Sequence, residues 1–481
     1  MAPEAVGSSA NDIDGCREAS ASVRNGDPVA AAVRLDPIIA APGFESVPDV
    51  SRHCALFLRG VAALLQKDWQ RALQFLKASC ATDHATPYDW QGRFEAAWQI
   101  PDFPDAIASA TVLARRFPNA FLLYPSTVTR LAREAAKLPD SRPRFELLDG
   151  LFEARWNPGV TEPSDLWKDL ALLSLERNDP ARARRAVQRV TGPRALIAMR
   201  ADRRFDDIVR TDPARFDVLK AQAAEIEQLR AAVRESPRSL QVLMELLRAL
   251  SLARRYDEVL QLTDTVLARV EKARIRAPYD DVNERLIWVL NERSGALRYT
   301  GRWHEAVETL SRAARMPEGN SPRNVSQSLN LGFLFCELDR PKEALAAISQ
   351  VTNLTDHGRQ VREFVRLLAA AELQDTASSE TALANLRREG DPQALEFALL
   401  ALNRLDDAAR LFLSRLADAT LRNDVLYEAQ DIVLPPAPPR VIEWRARSDA
   451  VIGRPEVQAA ILEYGRIERY DLGPSPLSPS R

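Results

Sequence analysis

Small residues recur along this chain at a separation of twelve positions, and this spacing restricts its fold more than any other feature. The pairs are Gly60 and Ala72, Ala171 and Ala183, Ser294 and Ala306, and Gly332 and Ala344. An aromatic residue often stands three positions before the second small residue, as do Trp69, Phe103 and Trp303. A small residue on each of two consecutive helices lets them pack closely, whereas a large one would force them apart. The spacing therefore predicts a series of antiparallel helical hairpins.

The composition agrees with an all-α fold. Ala, Leu, Arg and Glu dominate the chain, and these residues favour helix. Sustained alternating runs of β-branched residues are absent from the sequence, so we expect little or no sheet. No apolar stretch approaches the roughly 18–20 residues that a membrane-spanning helix needs.

Three further features indicate one specific repeat length. The step from Ala72 to Ala106 is 34 residues. The tripeptide Asn330-Leu331-Gly332 and the turn-into-helix sequence from Gly301 to Ala306 fit the same pattern. On these residues the chain resembles the tetratricopeptide-repeat (TPR) family, over roughly residues 12–416 with gaps. The resemblance implies a right-handed α–α superhelical solenoid whose first helices line the inner surface.

Breaks in the pattern suggest a division of the chain. The repeats are irregular around residues 193–235, and Pro435–Pro439 forms a rigid extended break. We therefore expect five segments: a disordered leader (1–11), an N-terminal array (12–212), a C-terminal array (213–434), the Pro-rich break with a helical end cap (435–470) and a disordered tail (471–481).

The sequence contains no recognisable catalytic signature. A phosphate-binding Gly-rich loop, a Gly-x-Ser-x-Gly motif, a paired-His zinc helix and a Cys-x-x-Cys motif are all absent from it. The 4 histidines are scattered, and the acidic pairs stand where helices begin, where they favour the helix dipole. We therefore expect no enzyme, no cofactor and no metal. The formal net charge of −2 argues against nucleic-acid binding, which needs a concentrated basic surface.

The inner face implied by the resemblance supplies the candidate partner-binding residues. They are Tyr88, Gln91, Glu95, Trp98, Lys168, Asn291, Arg298, Tyr299, Asn330, Phe333 and Glu337. Aromatic and Arg side chains are common interface anchors. Trp98 and Phe333 have an alternative interpretation as packing residues between neighbouring repeats. Some family members clamp a peptide carboxylate with Lys and Asn at fixed groove positions. That pattern is absent from this sequence, which disfavours recognition of C-terminal peptides.

These observations favour a non-catalytic scaffold that binds a peptide or protein in its groove. We expect no membrane insertion, and the oligomeric state is left open. By analogy with related arrays, the scaffold would serve a bacterial envelope assembly. The first alternative is a sensory or regulatory component of a signalling system. A less favoured alternative is an enzyme whose site lies between the two halves.

The cysteines and the N-terminal residues bear on the compartment. Cys16 and Cys54 are expected on the first helices of neighbouring repeats, and Cys54 and Cys80 at the open end of one hairpin. Either pair would bridge in an oxidising compartment, with Cys16–Cys54 as the candidate disulfide, and the alternative is a set of packed free thiols. The polar residues after Met1 resemble the front of a secreted protein after cleavage. We expect a periplasmic or secreted location, with a cytoplasmic one as the alternative.

Overall fold

The computed structural model describes residues 8–273, 277–318, 323–352 and 354–472. In these residues the chain forms 26 α-helices, short 3₁₀ turns and two strands of 2 residues each, which confirms the predicted all-α class. The expected leader and tail lie largely outside the described residues. The exceptions are residues 8–11, which begin the first helix, and 471–472, of which Leu472 is buried.

The chain divides into two compact units. The first comprises Met1–Pro158 and Asp165–Arg189, and the second comprises Gly159–Ser164 and Val190–Arg481. The helices up to residue 189 are α1 (Ser8–Arg24), α2 (Pro28–Ala40), α3 (Asp49–Leu65), α4 (Trp69–Cys80), α5 (Pro87–Gln99), α6 (Phe103–Arg116), α7 (Pro125–Ala136), α8 (Arg142–Glu153), α9 (Ser164–Glu176) and α10 (Pro180–Val187).

The helices of the second unit follow from residue 193. They are α11 (Pro193–Ala201), α12 (Asp206–Thr211), α13 (Val218–Glu235), α14 (Leu240–Leu252), α15 (Tyr256–Lys272), α16 (Val282–Tyr299), α17 (Trp303–Ala314), α18 (Val325–Glu337), α19 (Pro341–Ile348), α20 (Asp356–Glu372), α21 (Thr376–Glu389), α22 (Pro392–Ala401), α23 (Leu405–Ala417), α24 (Arg422–Glu428), α25 (Pro439–Ile452) and α26 (Pro455–Tyr464). The strands β1 (Asp431–Ile432) and β2 (Arg469–Tyr470) pair in parallel.

One turn geometry joins the two helices of most hairpins. A residue with positive φ follows the first helix, at Lys67, Asn178, Arg254, Gly301, Asp339, Gln374 and Asn403. This left-handed residue satisfies the last carbonyls of the first helix and reverses the chain. In three of these turns an aspartate then caps the second helix, as Asp179 does by accepting a hydrogen bond from the Arg182 amide at 2.8 Å. The repeated spacing in the sequence thus corresponds to one turn geometry that recurs between paired helices.

The small-residue pairs lie where the paired helices approach most closely. Ala72, Ala183, Ala306 and Ala344 are fully buried. Ser294 Oγ donates to the carbonyl oxygen of Ala306, its partner in the spacing, at 2.9 Å. At Gly332, an added Cβ would lie 2.8 Å from Ile348 Cγ2 on the second helix of its hairpin. The pairs therefore set the separation of the helices, as the sequence predicts.

Replacing Gly332 with alanine is expected to lower the free energy of unfolding by about 1–3 kcal/mol, because the new methyl group overpacks a filled contact. Gly295 on α16 provides the matched control, since nothing lies within 4 Å of its added Cβ. Gly295→Ala should raise the free energy of unfolding by about 0.5–1 kcal/mol through helix propensity. Urea denaturation followed by circular dichroism compares the two, and equal effects would contradict the close approach at Gly332.

In the second unit the first helix, α11, packs against α24, which lies near the carboxyl-terminal end of the unit. Asn423 on α24 donates through Nδ2 to the Ala198 carbonyl at 3.0 Å and to Asp202 Oδ2 at 3.1 Å. Asp202 is fully buried and forms a β-bridge with Gly465. Through this packing of α11 on α24, residues 190–212, which we expected in the N-terminal array, belong to the second unit.

Candidate binding surfaces

Helix α5 presents four of the candidate residues along one side in the first unit. A capping box between Thr86 and Asp89 fixes the start of this helix. Tyr88 is 69% exposed, and Glu95, two turns further on, is also exposed. Gln91 between them is half-buried, and its Nε2 donates to the Ala120 carbonyl at 2.8 Å. The face therefore carries an exposed aromatic ring and an exposed carboxylate.

Trp98 continues the same side but is largely committed to packing. Its ring stacks on Phe94 with centroids 5.8 Å apart and meets Phe103 edge-on at 6.0 Å. The Arg130 guanidinium lies 4.7 Å from the Trp98 ring centroid. For this residue the structure supports the packing alternative.

Two exposed apolar residues near α5 escaped the sequence analysis. Leu122 is 79% exposed and Tyr124 is 76% exposed, and both follow Ala120 in the chain. The hydrogen bond from Gln91 to Ala120 holds this loop beside α5. The stretch lies where the repeat pattern blurs, so periodicity assigned it no face. The available signal in the sequence was a pair of large side chains, Leu122 and Tyr124, in a stretch that the repeat pattern does not assign to a helix.

Lys168 on α9 does not present its charge on an open surface. The residue is only 4% exposed, and its Nζ lies 3.5 Å from Asp169 Oδ1. The expectation that Lys168 faces a partner is therefore corrected, because its side chain is buried and its charge lies beside Asp169.

The six candidates of the second unit lie together on two successive first helices. Arg298 Nη1 lies 3.0 Å from both carboxylate oxygens of Glu337, and Nη2 donates to the Tyr299 hydroxyl at 2.7 Å. Asn330 Nδ2 donates to Asn291 Oδ1 at 2.9 Å. The Arg298–Glu337 and Asn330–Asn291 contacts join α16 to α18. Phe333, also on α18, packs against Phe364 on α20 and Trp444 on α25. All six lie on α16 or α18, the helices on which the sequence pattern places them.

Burial governs the electrostatics of this group. Burial raises the pKa of Glu337 above its ordinary value, although the Arg298 guanidinium opposes the shift. Burial would lower the pKa of Arg298, but the Glu337 carboxylate and the Tyr299 hydroxyl raise it above its ordinary value. The pair therefore holds α16 to α18 as an internal salt bridge.

The chain's own helix α25 covers this face. Trp444 is only 3% exposed, and its ring lies 6.4 Å from that of Phe333 and 5.5 Å from that of Phe397. Pro436 and Pro438 line the same cavity as Arg298 and Glu337. Phe333 and Glu337 were expected to face a partner. They are instead buried beneath residues 436–445, the segment expected to cap the end of the array.

Arginines of α25 bind the carboxyl-terminal ends of the helices beneath it. Arg447 Nη1 donates to the carbonyl oxygens of Leu400 and Ala401, at 3.0 and 2.5 Å, at the end of α22. Arg440 forms ion pairs with Glu372, the last residue of α20, and with Asp339 in the turn after α18. Unpaired carbonyls and the helix dipole make these ends attractive to cations. The covering segment is therefore held by charge as well as by Trp444.

Two small cavities remain under and beside α25. One cavity is lined by Arg298, Trp444 and Arg445 and has a volume of about 20 Å³. The other is lined by Asn291, Asn330 and Leu334 and has a volume of about 50 Å³. These volumes suit one to a few water molecules. Across the part of the chain that the structure describes, no three His, Cys, Asp or Glu side chains cluster as metal ligands, and no helix is long and apolar enough to cross a membrane.

The candidate disulfide pair lies in the first unit. Cys16 on α1 is buried, Cys54 on α3 is half-buried, neither forms a disulfide in the structure, and both pack in one apolar cluster. Cys80 lies at the end of α4 and is also a free, buried thiol.

Comparison with known proteins finds no matching family model and no similar curated protein. Among solved structures, one described as Naa15/Naa10 bound to HypK-THB is 14% identical; the match covers 94% of this chain and 79% of that one, with a TM-score of 0.25. The TPR domain of P58(IPK) is 11% identical; the match covers 85% of this chain and 99% of that one, with a TM-score of 0.20. Similarities this low establish neither a family nor a shared function.

Proposed function

We propose that the protein is a non-catalytic scaffold that binds a peptide or protein partner on the α5 face of its first unit. The observation that carries this proposal comes from the second unit, where the first helices of two hairpins, α16 and α18, accommodate residues 436–445 of the chain itself. Such a face thus suits a polypeptide with an aromatic anchor and flanking charges. The α5 face has similar chemistry and is accessible to solvent.

The exposed residues of the first unit agree with this assignment. Tyr88, Leu122 and Tyr124 are each more than two-thirds exposed, at 69%, 79% and 76%. Neighbouring apolar residues at the surface commonly mark interaction sites. Tyrosine in particular supplies a large apolar contact with little loss of side-chain entropy. A partner segment would rest on these three side chains and place a cation near Glu95. A role in a bacterial envelope assembly stays a prediction.

A photo-crosslinking residue at position 88 tests the proposal. The full-length protein carrying benzoylphenylalanine in place of Tyr88 should capture one partner in the source cell. The same group in place of Val33, which is 67% exposed on α2, is the matched control and should capture none. The purified partner should then bind the double variant Tyr88→Ala/Glu95→Arg at least about tenfold more weakly than wild type, the loss expected for an interface anchor.

The alternative outcomes are distinguishable. Capture of the same proteins from positions 88 and 33 would indicate nonspecific contact and would overturn the assignment of the α5 face. Unchanged affinity of the double variant for a captured partner would do the same. Circular dichroism establishes that the variants are equally helical, so that unfolding is not mistaken for lost binding.

A further inference from the structure

Cys16 and Cys54 lie in one apolar cluster of the first unit, on the helices α1 and α3, which pack against each other. The Cys16 thiol donates a hydrogen bond to the Ser51 carbonyl oxygen, which lies 4.0 Å from its Sγ, and Ser51 is one turn before Cys54 on α3. Both side chains belong to the apolar cluster that joins α1, α2 and α3. The packing of α1 on α3 therefore places the pair side by side.

The four thiols of the chain differ in reactivity. Stabilisation of the Cys54 thiolate by the neighbouring Cys16 thiol lowers the pKa of Cys54 below its ordinary value, although burial opposes the shift. Burial raises the pKa of Cys80 to about 12 and also raises that of Cys336. The thiolate is the reactive form, and Cys54 is also the most accessible of the four. Cys54 should therefore react first.

We propose that Cys16 and Cys54 are a redox-reactive pair that forms a disulfide by exchange with a small disulfide such as oxidised glutathione. In the first step the Cys54 thiolate attacks one glutathione sulfur, forms a mixed disulfide and releases one glutathione thiolate, which takes up a proton. In the second step Cys16 loses its proton to solvent, attacks Cys54 Sγ and releases the second glutathione. The protein pair loses two electrons, which the glutathione disulfide gains.

The bridge would stabilise the first hairpins. It would close a loop from residue 16 to residue 54, which includes all of α2 and about half of α1. Closing a loop restricts the unfolded chain more than the folded one, so the oxidised form should melt at a higher temperature. In a reducing compartment the same residues would remain packed thiols. The state of the pair in the cell would therefore report the compartment.

Thiol counting on the purified full-length chain tests the proposal. After incubation of the reduced protein with oxidised glutathione, alkylation in denaturant should detect two free thiols, in place of the 4 of the reduced chain. Peptide mass mapping should find the Cys16–Cys54 link. Cys16→Ser and Cys54→Ser should each abolish it, whereas Cys80→Ser and Cys336→Ser should leave it intact. The first two variants should also show no rise in melting temperature on oxidation.

Two results would overturn the proposal. One is the persistence of all free thiols in the folded wild-type protein while a control peptide oxidises. The other is a stable glutathione adduct on Cys54 that Cys16 never resolves. Both are read on the wild-type chain, so a folding defect in a serine variant does not obscure the answer.

Discussion

Replacement of Arg415 with methionine is expected to destabilise the second unit by about 3–5 kcal/mol, the usual cost of removing one partner from a buried ion pair. Arg415 on α23 donates to Glu396 Oε2 on α22 at 2.7 Å and to Glu428 on α24 at 2.9 Å. Its side chain is 4% exposed, and those of the two glutamates are 11% and 16% exposed. Methionine would fill much of the space but would leave two carboxylates together without a cation.

The stability lost in Arg415→Met should depend on pH, and the direction of this dependence follows from the pKa shifts. Burial raises the pKa of Glu396 to about 7, and burial also raises that of Glu428. The folded state therefore binds protons more tightly than the unfolded state, whose glutamates titrate near their ordinary value of 4.5. This contribution to stability is present below pH 4.5 and is lost as the pH rises through about 7. Without Arg415 both pKa values should rise further, so Arg415→Met should lose more stability at pH 8 than at pH 5.

Urea denaturation at both pH values, followed by circular dichroism, measures the effect. Arg410→Met is the matched control, because Arg410 lies on the same helix with its side chain 72% exposed. Its loss should change the free energy of unfolding by no more than about 0.5 kcal/mol. Adding Glu396→Gln and Glu428→Gln to Arg415→Met should restore part of the stability. Equal losses in Arg415→Met and Arg410→Met would show that the pair is not desolvated.

Local spacing was sufficient to predict the hairpins. Gly332 and Ala344 fall on α18 and α19, as expected, because the turn between them has the same left-handed residue as the other hairpins. Arg298 and Glu337 meet because both lie near the ends of successive first helices, four and five residues after the small residues Ser294 and Gly332. When hairpins stack one on the next, residues at similar positions in successive repeats come to lie close together in space.

What covers those faces could not be read from the pattern. Trp444 is a conspicuous aromatic residue, but periodicity does not show that it packs on Phe333 and Phe397. That contact depends on where the chain returns after the Pro-rich break. The packing of residues 190–212 in the second unit likewise involves a contact between Asp202 and Asn423, 221 positions apart. Pairings of this kind are set by the whole fold, so local spacing carries no signal for them.

Trp444→Ala is expected to cost about 3–5 kcal/mol, as large-to-small changes at buried aromatic positions do. The loss should appear first as detachment of α25, because this helix is joined to the array through a Pro-rich segment and no longer has its central anchor. Trypsin is a direct probe, since Arg440, Arg445 and Arg447 all lie on α25. In the wild-type protein, Arg440 and Arg447 are held at the ends of α20 and α22 and should resist cleavage.

Ile442→Ala is the matched control, because Ile442 lies on the same helix and is 54% exposed. We expect rapid cleavage within α25 for Trp444→Ala and wild-type resistance for Ile442→Ala, with the remaining helices intact by circular dichroism. The cleaved protein should also bind an apolar dye, because Phe333 and Phe397 become accessible. Equal resistance in both variants would mean that the arginine contacts alone hold α25. Trp444 would then only fill space beside Phe333 and Phe397, and the anchoring role assigned to it would be wrong.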